Sequence, residues 1–244
     1  SGLEKRRLKI DEKNQKSNVM RLLSTKKLSP SIKDHLEKIG TSIEEYPLIE
    51  IQPLYLTNQK IQSMVIFTSQ NAVRLVNKNN TLKNKIVGKK SFCVGEKTRG
   101  LLKKSGYKVI EMKENANELA HFLVEKYNKN SFSFFCGRKR RSEIESILKK
   151  NSMTIEIHEL YNTLFIDKKF ESAYDGIIFF SPSAVLSFFE NNKWPKDSHG
   201  FCIGKSTGET LKKYTTNFSE AKHPNEDQLL QTIINYFSKH YVKK

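Results

Sequence analysis

Seven small hydroxyl residues lie where an apolar, strand-like run ends and a helical pattern begins. They are Thr25, Ser69, Thr98, Ser181, Ser183, Ser206 and Thr207. Helix capping alone accounts for any one of them. Taken together they indicate a further chemistry, because helix N-termini carry unpaired backbone N–H groups and partial positive charge. Several such termini around one ligand would bind an anion with many separated charges.

Two other positions could add to such a site. Gly137 is followed by a basic run from Arg138 to Arg141. The simplest interpretation of this run is a solvated surface, although it could supply a charged rim to a binding site. Tyr161 ends a strand-like run beside a stretch without periodicity, and a tyrosine there is usually a packing residue with a wet hydroxyl. The residues themselves leave both positions open.

Familiar catalytic and cofactor motifs are incomplete. The segment 199–206 differs by one residue from the phosphate loop GxxxxGK[ST], but His199 replaces its first glycine and the middle of the motif is itself a strand. The sequence has no GxGxxG or HExxH spacing and no evident Ser/His/Asp set. Cys93, Cys136 and Cys202 lie in apolar runs without CxxC spacing, which is typical of buried, reduced thiols in the cytoplasm.

Composition favours an anionic partner. The 244 residues carry a formal net charge of +17, which would attract nucleic acid, an anionic membrane or a polycarboxylate. No apolar run reaches the roughly 18 residues of a membrane span, and no secretory signal pattern occurs, so we expect a soluble protein. The segment 1–18 is polar and lacks hydrophobic periodicity, which predicts a disordered basic leader.

The elements that must position these residues occur twice. The run around Ser69 returns around Ser181, 112 residues later, and the run from Phe92 to Gly95 returns from Phe201, 109 residues later. A fainter echo joins 42–44 to 154–156. A duplication of this kind predicts two similar halves with a cleft between them, where matching loops face one ligand.

Short apolar runs alternate with amphipathic stretches, the pattern of parallel sheets flanked by helices, so we predict an α/β fold. Strands are expected at 19–24, 46–52, 63–68, 91–94, 108–111, 132–136, 155–160, 176–180, 200–203 and 216–218. Helix starts are expected after Ser29, Asn115, Ser142, Ser181 and Asn225, with Glu145 completing a capping box at Ser142. The domain division stays open: a boundary near Asn130 gives tandem domains, whereas splitting each repeat builds one domain from the middle of the chain and one from both ends.

In their order and spacing these motifs resemble those of the uroporphyrinogen-III synthase family, from about Val19 to Phe237. The resemblance is carried by Phe67-Thr68-Ser69 with Ala72-Val73, Val94-Gly95 with Thr98, Cys136-Gly137 with Glu143-Ile144, Tyr161-Asn162-Thr163, Phe179-Phe180-Ser181-Pro182-Ser183, and Ile203-Gly204 with Thr207. It implies two flavodoxin-like parallel-sheet domains joined by a two-stranded linker, with an inter-domain cleft. Domain 1 would comprise 19–47 plus 166–244, and domain 2 would comprise 48–165.

The resemblance also implies an activity, that of a cyclising lyase of porphyrin, heme and other tetrapyrrole biosynthesis. Such an enzyme converts hydroxymethylbilane, which has eight carboxylates, to uroporphyrinogen III with loss of water and inversion of ring D. Tyr161 would assist departure of the terminal hydroxyl. Substrate contacts are expected from Thr25, Ser69, Thr98, Gly137, Arg138, Ser181, Ser183, Ser206 and Thr207.

No cofactor, metal, nucleic acid or membrane partner is implied by the resemblance, and we expect a cytoplasmic monomer. The alternative that the charge favours is a non-catalytic basic protein that binds nucleic acid or another polyanion, with an affinity that falls steeply with salt. A third possibility is a two-domain binder of small anions without chemistry.

Overall fold

The computed structural model describes residues 19–56 and 60–240, so the predicted leader at 1–18 lies outside the described residues. The chain divides into two compact units. The middle unit is Glu50–Leu164, and the split unit is built from the segments before and after it. The domain bounds expected from the resemblance, 48 and 165, lie next to these limits.

Strands and helices alternate through most of the described chain. The strands are β1 Met20–Ser24, β2 Thr41–Glu45, β3 Ile49–Pro53, β4 Met64–Phe67, β5 Lys90–Val94, β6 Lys108–Lys113, β7 Phe132–Gly137, β8 Ile155–Phe165, β9 Gly176–Phe179, β10 His199–Cys202 and β11 Phe218–Glu220. The helices are α1 Pro30–Lys38, α2 Gln70–Lys78, α3 Asn80–Ile86, α4 Glu96–Lys104, α5 Ala116–Tyr127, α6 Glu143–Lys150, α7 Pro182–Asn191, α8 Lys205–Leu211 and α9 Glu226–His240.

Each unit contains one sheet. The split unit has the strand order β2-β1-β9-β10-β11, and all of its neighbouring strands are parallel. The middle unit has the order β3-β8-β7-β4-β5-β6, with parallel pairing from β8 to β6. These parallel sheets with their helices confirm the predicted α/β class.

The two sheets have the same strand topology, but the chain runs through the corresponding strands in a different order. β1 and β7 begin 112 residues apart, at Met20 and Phe132, and β4 and β9 begin 112 apart, at Met64 and Gly176. Strand by strand, β8-β7-β4-β5-β6 therefore corresponds to β2-β1-β9-β10-β11. Each copy of the duplicated sequence contributes strands to both units.

Alternation along the strands explains why helices cover both faces of the middle sheet. All four residues of β4 are buried. Val65 and Phe67 pack in one core cluster with α2 residues, whereas Met64 and Ile66 pack in another with α5 residues. Successive side chains of a strand point to opposite faces, so an uninterrupted apolar run belongs to a sheet covered on both sides.

Most predicted helix starts are confirmed, although their capping differs in detail. The Ser181, Asn115 and Asn225 side chains each accept a hydrogen bond from a backbone N–H in the first turn. Ser29 is the N-cap of α1 without a side-chain cap bond. The capping box predicted at Ser142 is wrong, because Ser142 makes no side-chain cap bond and Glu145 instead pairs with Arg140.

One strand was missed. β2 is an edge strand of sequence TSIEE and pairs with β1, whereas the predicted strand at 46–52 corresponds to β3, which begins only at Ile49. Most residues of β2 are polar, so the apolar pattern that would predict a strand is weak there.

Candidate active site

Each sheet has one switch point at its carboxyl edge, between two neighbouring strands from which the chain continues in opposite directions across the sheet. In the split unit, β1 leads to β2 on one side while β9 leads to β10 on the other. In the middle unit, β7 leads to β8 on one side while β4 leads to β5 on the other. Ligands of open α/β sheets bind at this switch point, outside the carboxyl ends of the strands.

Four of the predicted site residues lie at these switch points. Thr25 directly follows β1, and Ser181 begins the turn into α7 after β9. In the middle unit, Ser69 precedes α2 after β4, and Gly137 is the last residue of β7. Sequence positions far apart are therefore brought together in pairs, one pair in each unit.

In the middle unit the Tyr161 hydroxyl joins this pair. It donates a hydrogen bond to Ser69 Oγ at 2.8 Å. Ser69 Oγ also accepts from the backbone N–H of Asn71 at 3.1 Å, as the N-cap of α2. Because its oxygen accepts twice, the serine's own hydrogen is left to donate elsewhere. The Ser69 side chain is half-buried, whereas Tyr161 is only 8% exposed, so Ser69 lies nearer the surface than Tyr161.

A break in strand register explains how Tyr161 reaches Ser69. Along β7 and β8, Cys136 pairs with Glu159, but Gly137 pairs with Tyr161 rather than with Leu160. A one-residue shift moves a side chain to the opposite face of the sheet. Tyr161 therefore joins the core cluster that contains Phe135, instead of the opposite cluster against which Ile157 packs.

Gly137 leaves the space through which the Tyr161 ring passes. A Cβ at position 137 would lie 2.7 Å from both Cε2 and Cζ of the ring and 3.0 Å from its hydroxyl oxygen. β7 lies between β8 and β4, so the ring must cross the end of β7 to reach Ser69. Only a residue without a side chain permits this crossing.

The surroundings of Tyr161 favour the protonated phenol. Burial raises its pKa, and this outweighs hydrogen bonds with Ser69 and with the Asn71 side chain, which act in the opposite direction. Asn71 was missed in the sequence. Its only signal was its position two residues after a strand-end serine. A phenol whose pKa is above its ordinary value can donate a proton or hydrogen bond at neutral pH.

The start of the basic run after β7 is built into an ion-pair network. Arg138 Nε donates to Glu159 at 3.0 Å, and the arginine side chain is 57% exposed. Arg140 pairs with both Glu145 and Glu159. Hydrogen bonds from Arg140 and then Arg138 are the main reason why the pKa of Glu159 is lowered. The solvated-surface interpretation therefore fails for Arg140, whose side chain is 18% exposed.

A cavity of about 360 Å³ opens beside this network. Its lining includes Arg138, Arg140, Glu159 and the fully exposed Tyr55. Pockets of this size hold small organic ligands, and an arginine can bind a carboxylate through two parallel hydrogen bonds. The cavity therefore offers cationic and aromatic contacts within the middle unit.

The switch point of the split unit has different chemistry. Thr25 corresponds to Gly137 in the 112-residue repeat, and its hydroxyl is buried and donates to the carbonyl of Ile178 at 2.8 Å. Ser181 corresponds to Ser69 and caps α7 through the N–H of Ala184. The residue that corresponds to Tyr161 is Ile49. The tyrosine, glycine and serine combination is thus a property of the middle unit.

The other residues predicted to contact a substrate lie at helix starts. Thr98 and Thr207 are each the third residue of their helix, α4 and α8, and both are buried. Gly95 and Gly204 are the N-caps of these helices. Ser183 is half-buried in the first turn of α7, and Ser206 is exposed. Their contact with a substrate stays a prediction.

The three cysteines are buried and free, and burial raises the pKa of each thiol to about 12. They are therefore poor nucleophiles, since the thiolate is the reactive form.

Within residues 19–56 and 60–240, no helix is both long and apolar enough to cross a membrane.

Comparison with known proteins identifies the family to which the chain is similar. The family model described as uroporphyrinogen-III synthase HemD matches residues 30–231. A porphyrin biosynthesis protein HemD from Ruminiclostridium josui is 25% identical over 234 residues, which cover 86% of this chain and 46% of that protein. The chain thus spans about half the length of this curated relative.

Two solved structures share the fold. Uroporphyrinogen-III synthetase from Helicobacter pylori 26695 aligns with a TM-score of 0.67 at 17% identity, covering 89% of this chain and all of that one. A mutant uroporphyrinogen-III synthase from the extremely thermophilic bacterium Thermus thermophilus aligns with a TM-score of 0.67 at 15% identity, covering 91% of this chain and all of that one. Because the family model spans most of its length, this chain belongs to the uroporphyrinogen-III synthase family.

Proposed function

We propose that this chain is itself a cyclising lyase that converts hydroxymethylbilane to uroporphyrinogen III, with loss of water and inversion of ring D. The observation that carries the proposal is the Tyr161 hydroxyl, held across Gly137 against Ser69 at the switch point of the middle unit. Membership of the family supports the same reaction.

The chemistry asked of Tyr161 is assistance to a leaving group. The bond between the terminal hydroxymethyl carbon and its oxygen breaks, and the oxygen leaves as water after it gains a proton. A buried, protonated phenol supplies a hydrogen bond or proton to that oxygen. Ser69, which accepts from Tyr161 and lies nearer the surface, is the group through which this donation reaches the substrate.

The substrate's carboxylates are proposed to bind strand-end loops, where helices begin. The starts of α2 and α7, after Ser69 and Ser181, present backbone N–H groups, which together with helix dipoles attract anions. Arg138 adds a positive charge on a side chain that is 57% exposed. Binding of this kind orders a flexible chain before it closes, which lowers the entropic part of the barrier to cyclisation.

The direct test is to incubate the purified protein with freshly generated hydroxymethylbilane and to separate the isomers of the product after oxidation. We expect isomer III in excess over isomer I, which forms spontaneously. A product that is entirely isomer I, at the rate of the blank, would contradict the proposal. A protein heated beyond unfolding serves as the control for carried-over catalysts.

Replacing Arg138 by glutamine is expected to raise KM roughly five- to tenfold and to change kcat by less than about twofold, because one charged contact with a carboxylate is lost in both ground and transition states. Initial rates over a range of hydroxymethylbilane concentrations measure both constants. The wild-type KM should rise with added salt more steeply than that of the variant. Equal salt dependence in both proteins would remove Arg138 from the binding site.

We further propose that the protein acts in the cytoplasm, which its buried, unpaired cysteines support. The monomeric state stays a prediction, which the molecular mass in solution tests.

A further inference from the structure

Arg140 connects the end of β7 to the loop after it, to α6 and to β8. Its Nε bonds to the carboxylate of Glu145 in the first turn of α6, and its Nη1 bonds to Glu159 Oε1 on β8 at 2.9 Å. The same Nη1 lies 3.3 Å from the carbonyl of Gly137 and 3.2 Å from that of Arg138. One guanidinium therefore binds the strand end, the following loop, the next helix and the neighbouring strand.

Both carbonyls belong to residues that touch Tyr161. Gly137 lies beneath the tyrosine ring, and the backbone N–H of Arg138 donates to the carbonyl of Tyr161 at 2.8 Å. Glu159 precedes Tyr161 by two residues, at the point where the register of β7 and β8 shifts. A displacement of the Arg140 guanidinium would therefore act on the tyrosine through its backbone partner and through the surface on which its ring lies.

The chemistry of this position requires arginine. A planar guanidinium offers five donors in a fixed arrangement, whereas a lysine ammonium is a single charged point with rotatable donors. At Arg140, Nε bonds to one carboxylate, while Nη1 reaches a second carboxylate and two carbonyls. The side chains of Arg140 and Glu145 are 18% and 15% exposed, so the ion pair is shielded from solvent.

We propose that Arg140 is a positioning residue that holds the loop after β7 in the conformation that aligns Tyr161 with Ser69. Arg138, two residues earlier and on the surface, contacts the substrate instead. Neighbouring arginines thus have separate tasks, one in binding and one in alignment. The inference rests on the proposed function, but it also predicts a structural effect on Tyr161 that is independent of turnover.

The kinetic test is the replacement of Arg140 by glutamine and by lysine. We expect kcat of Arg140→Gln to fall roughly 10- to 100-fold, as for a misplaced catalytic group, with KM changed less than about twofold. Arg140→Lys should recover only part of kcat, because it restores charge without the planar donor arrangement. In Arg138→Gln we expect the opposite pattern, a raised KM with nearly unchanged kcat. The comparison of the two variants therefore distinguishes a positioning residue from a binding residue.

Loss of folding stability must be distinguished from loss of alignment. Arg140→Gln leaves Glu145 shielded and unpaired, which destabilises a protein. The double variant Arg140→Gln, Glu145→Gln removes this charge, so we expect Tm to recover towards wild type while kcat stays low. Recovery of kcat together with Tm would overturn the proposal. Arg141→Gln removes the same charge from an exposed position of the same loop, and an equal fall in kcat there would also overturn it.

Fluorine NMR of fluorotyrosine-labelled protein supplies the readout without substrate. The Tyr161 resonance is identified by its disappearance in Tyr161→Phe. We expect it to shift towards the position of unfolded protein in the Arg140→Gln, Glu145→Gln variant and to stay in place in Arg141→Gln. An unchanged resonance would refute the positioning role even if the protein made no isomer III, whereas failure of the isomer assay alone would refute only the enzymatic function.

Discussion

Replacement of Tyr161 by phenylalanine is expected to lower kcat for isomer III by on the order of a hundredfold or more, the usual contribution of a positioned general acid. The variant removes a hydroxyl that donates to Ser69 at 2.8 Å, but it keeps the ring that crosses Gly137. KM should change less than about twofold, because assistance to the leaving oxygen is made in the transition state rather than in the ground state. Isomer III formation under substrate saturation measures the effect.

Tyr107→Phe is the matched control for this variant. Tyr107 is also a buried tyrosine of the middle unit, and its hydroxyl donates to Asn77 at 3.0 Å. Loss of either hydroxyl should cost a similar free energy of unfolding, about 1 kcal/mol. Only Tyr161→Phe should lower kcat. Unchanged turnover in Tyr161→Phe would remove the tyrosine from the chemistry and leave the fold and family untouched.

The pH dependence of turnover should reflect the same hydroxyl. The pKa of Tyr161 is raised above its ordinary value of 10.0, chiefly by burial. The group is therefore protonated and active as a donor at all lower pH values, and ionisation of Tyr161 should not reduce kcat until the pH exceeds 10. A decline of kcat at lower pH that is present in wild type and absent in Tyr161→Phe would contradict this assignment.

The repeat made much of the fold predictable. The runs around Ser69 and Ser181 each place a serine between a buried strand and a helix, and both serines are N-caps with side-chain bonds. β2 was missed because its local pattern is polar. The acidic residues of this edge strand find partners elsewhere in the unit: Glu45 bonds to Lys33, and Glu44 accepts from the Tyr174 hydroxyl. The echo between 42–44 and 154–156 was the available signal.

The chemistry of the site depends on contacts that periodicity does not encode. Strict alternation along β8 would place Tyr161 on the face opposite to Leu160, and only the register shift at Gly137 brings both into one core cluster. The capping box expected at Ser142 failed for a similar reason, because Glu145 finds a stronger partner in Arg140. The register shift arises between two strands, and the ion pair arises between a loop residue and the helix that follows it, so neither is encoded in the periodicity of one element.

The two units show how a duplicated fold acquires one specialised site. Gly137 and Thr25 occupy corresponding ends of β7 and β1, but Thr25 uses its hydroxyl to join β1 to the carbonyl of Ile178. Thr25 thus carries a side chain at the position that corresponds to Gly137, where the middle unit has none. A donor like Tyr161 is therefore compatible with the middle unit, while the split unit keeps the helix starts that suit an anion.

Gly137→Ala should accordingly destabilise the protein and lower turnover together. The new Cβ would lie 2.7 Å from two ring carbons of Tyr161, which requires the ring or β7 to move. Overpacking of this kind costs about 1–3 kcal/mol in unfolding free energy. Displacement of the ring also separates the phenol from Ser69, so we expect kcat to fall at least tenfold, by the sensitivity of catalysis to misplacement. Denaturant unfolding and the isomer assay measure the two effects.

A double-mutant cycle assigns this cost to the tyrosine. Tyr161→Ala removes the ring, so Gly137→Ala in that background should cost much less stability than in wild type, whereas in Tyr161→Phe, which keeps both contacted carbons, the cost should persist. Gly100→Ala is the matched control, since a Cβ there meets nothing within 4 Å, and in the interior of α4 it should stabilise the helix by up to about 1 kcal/mol. Equal costs of Gly137→Ala in all three backgrounds would show that the backbone of β7, rather than the Tyr161 ring, requires glycine.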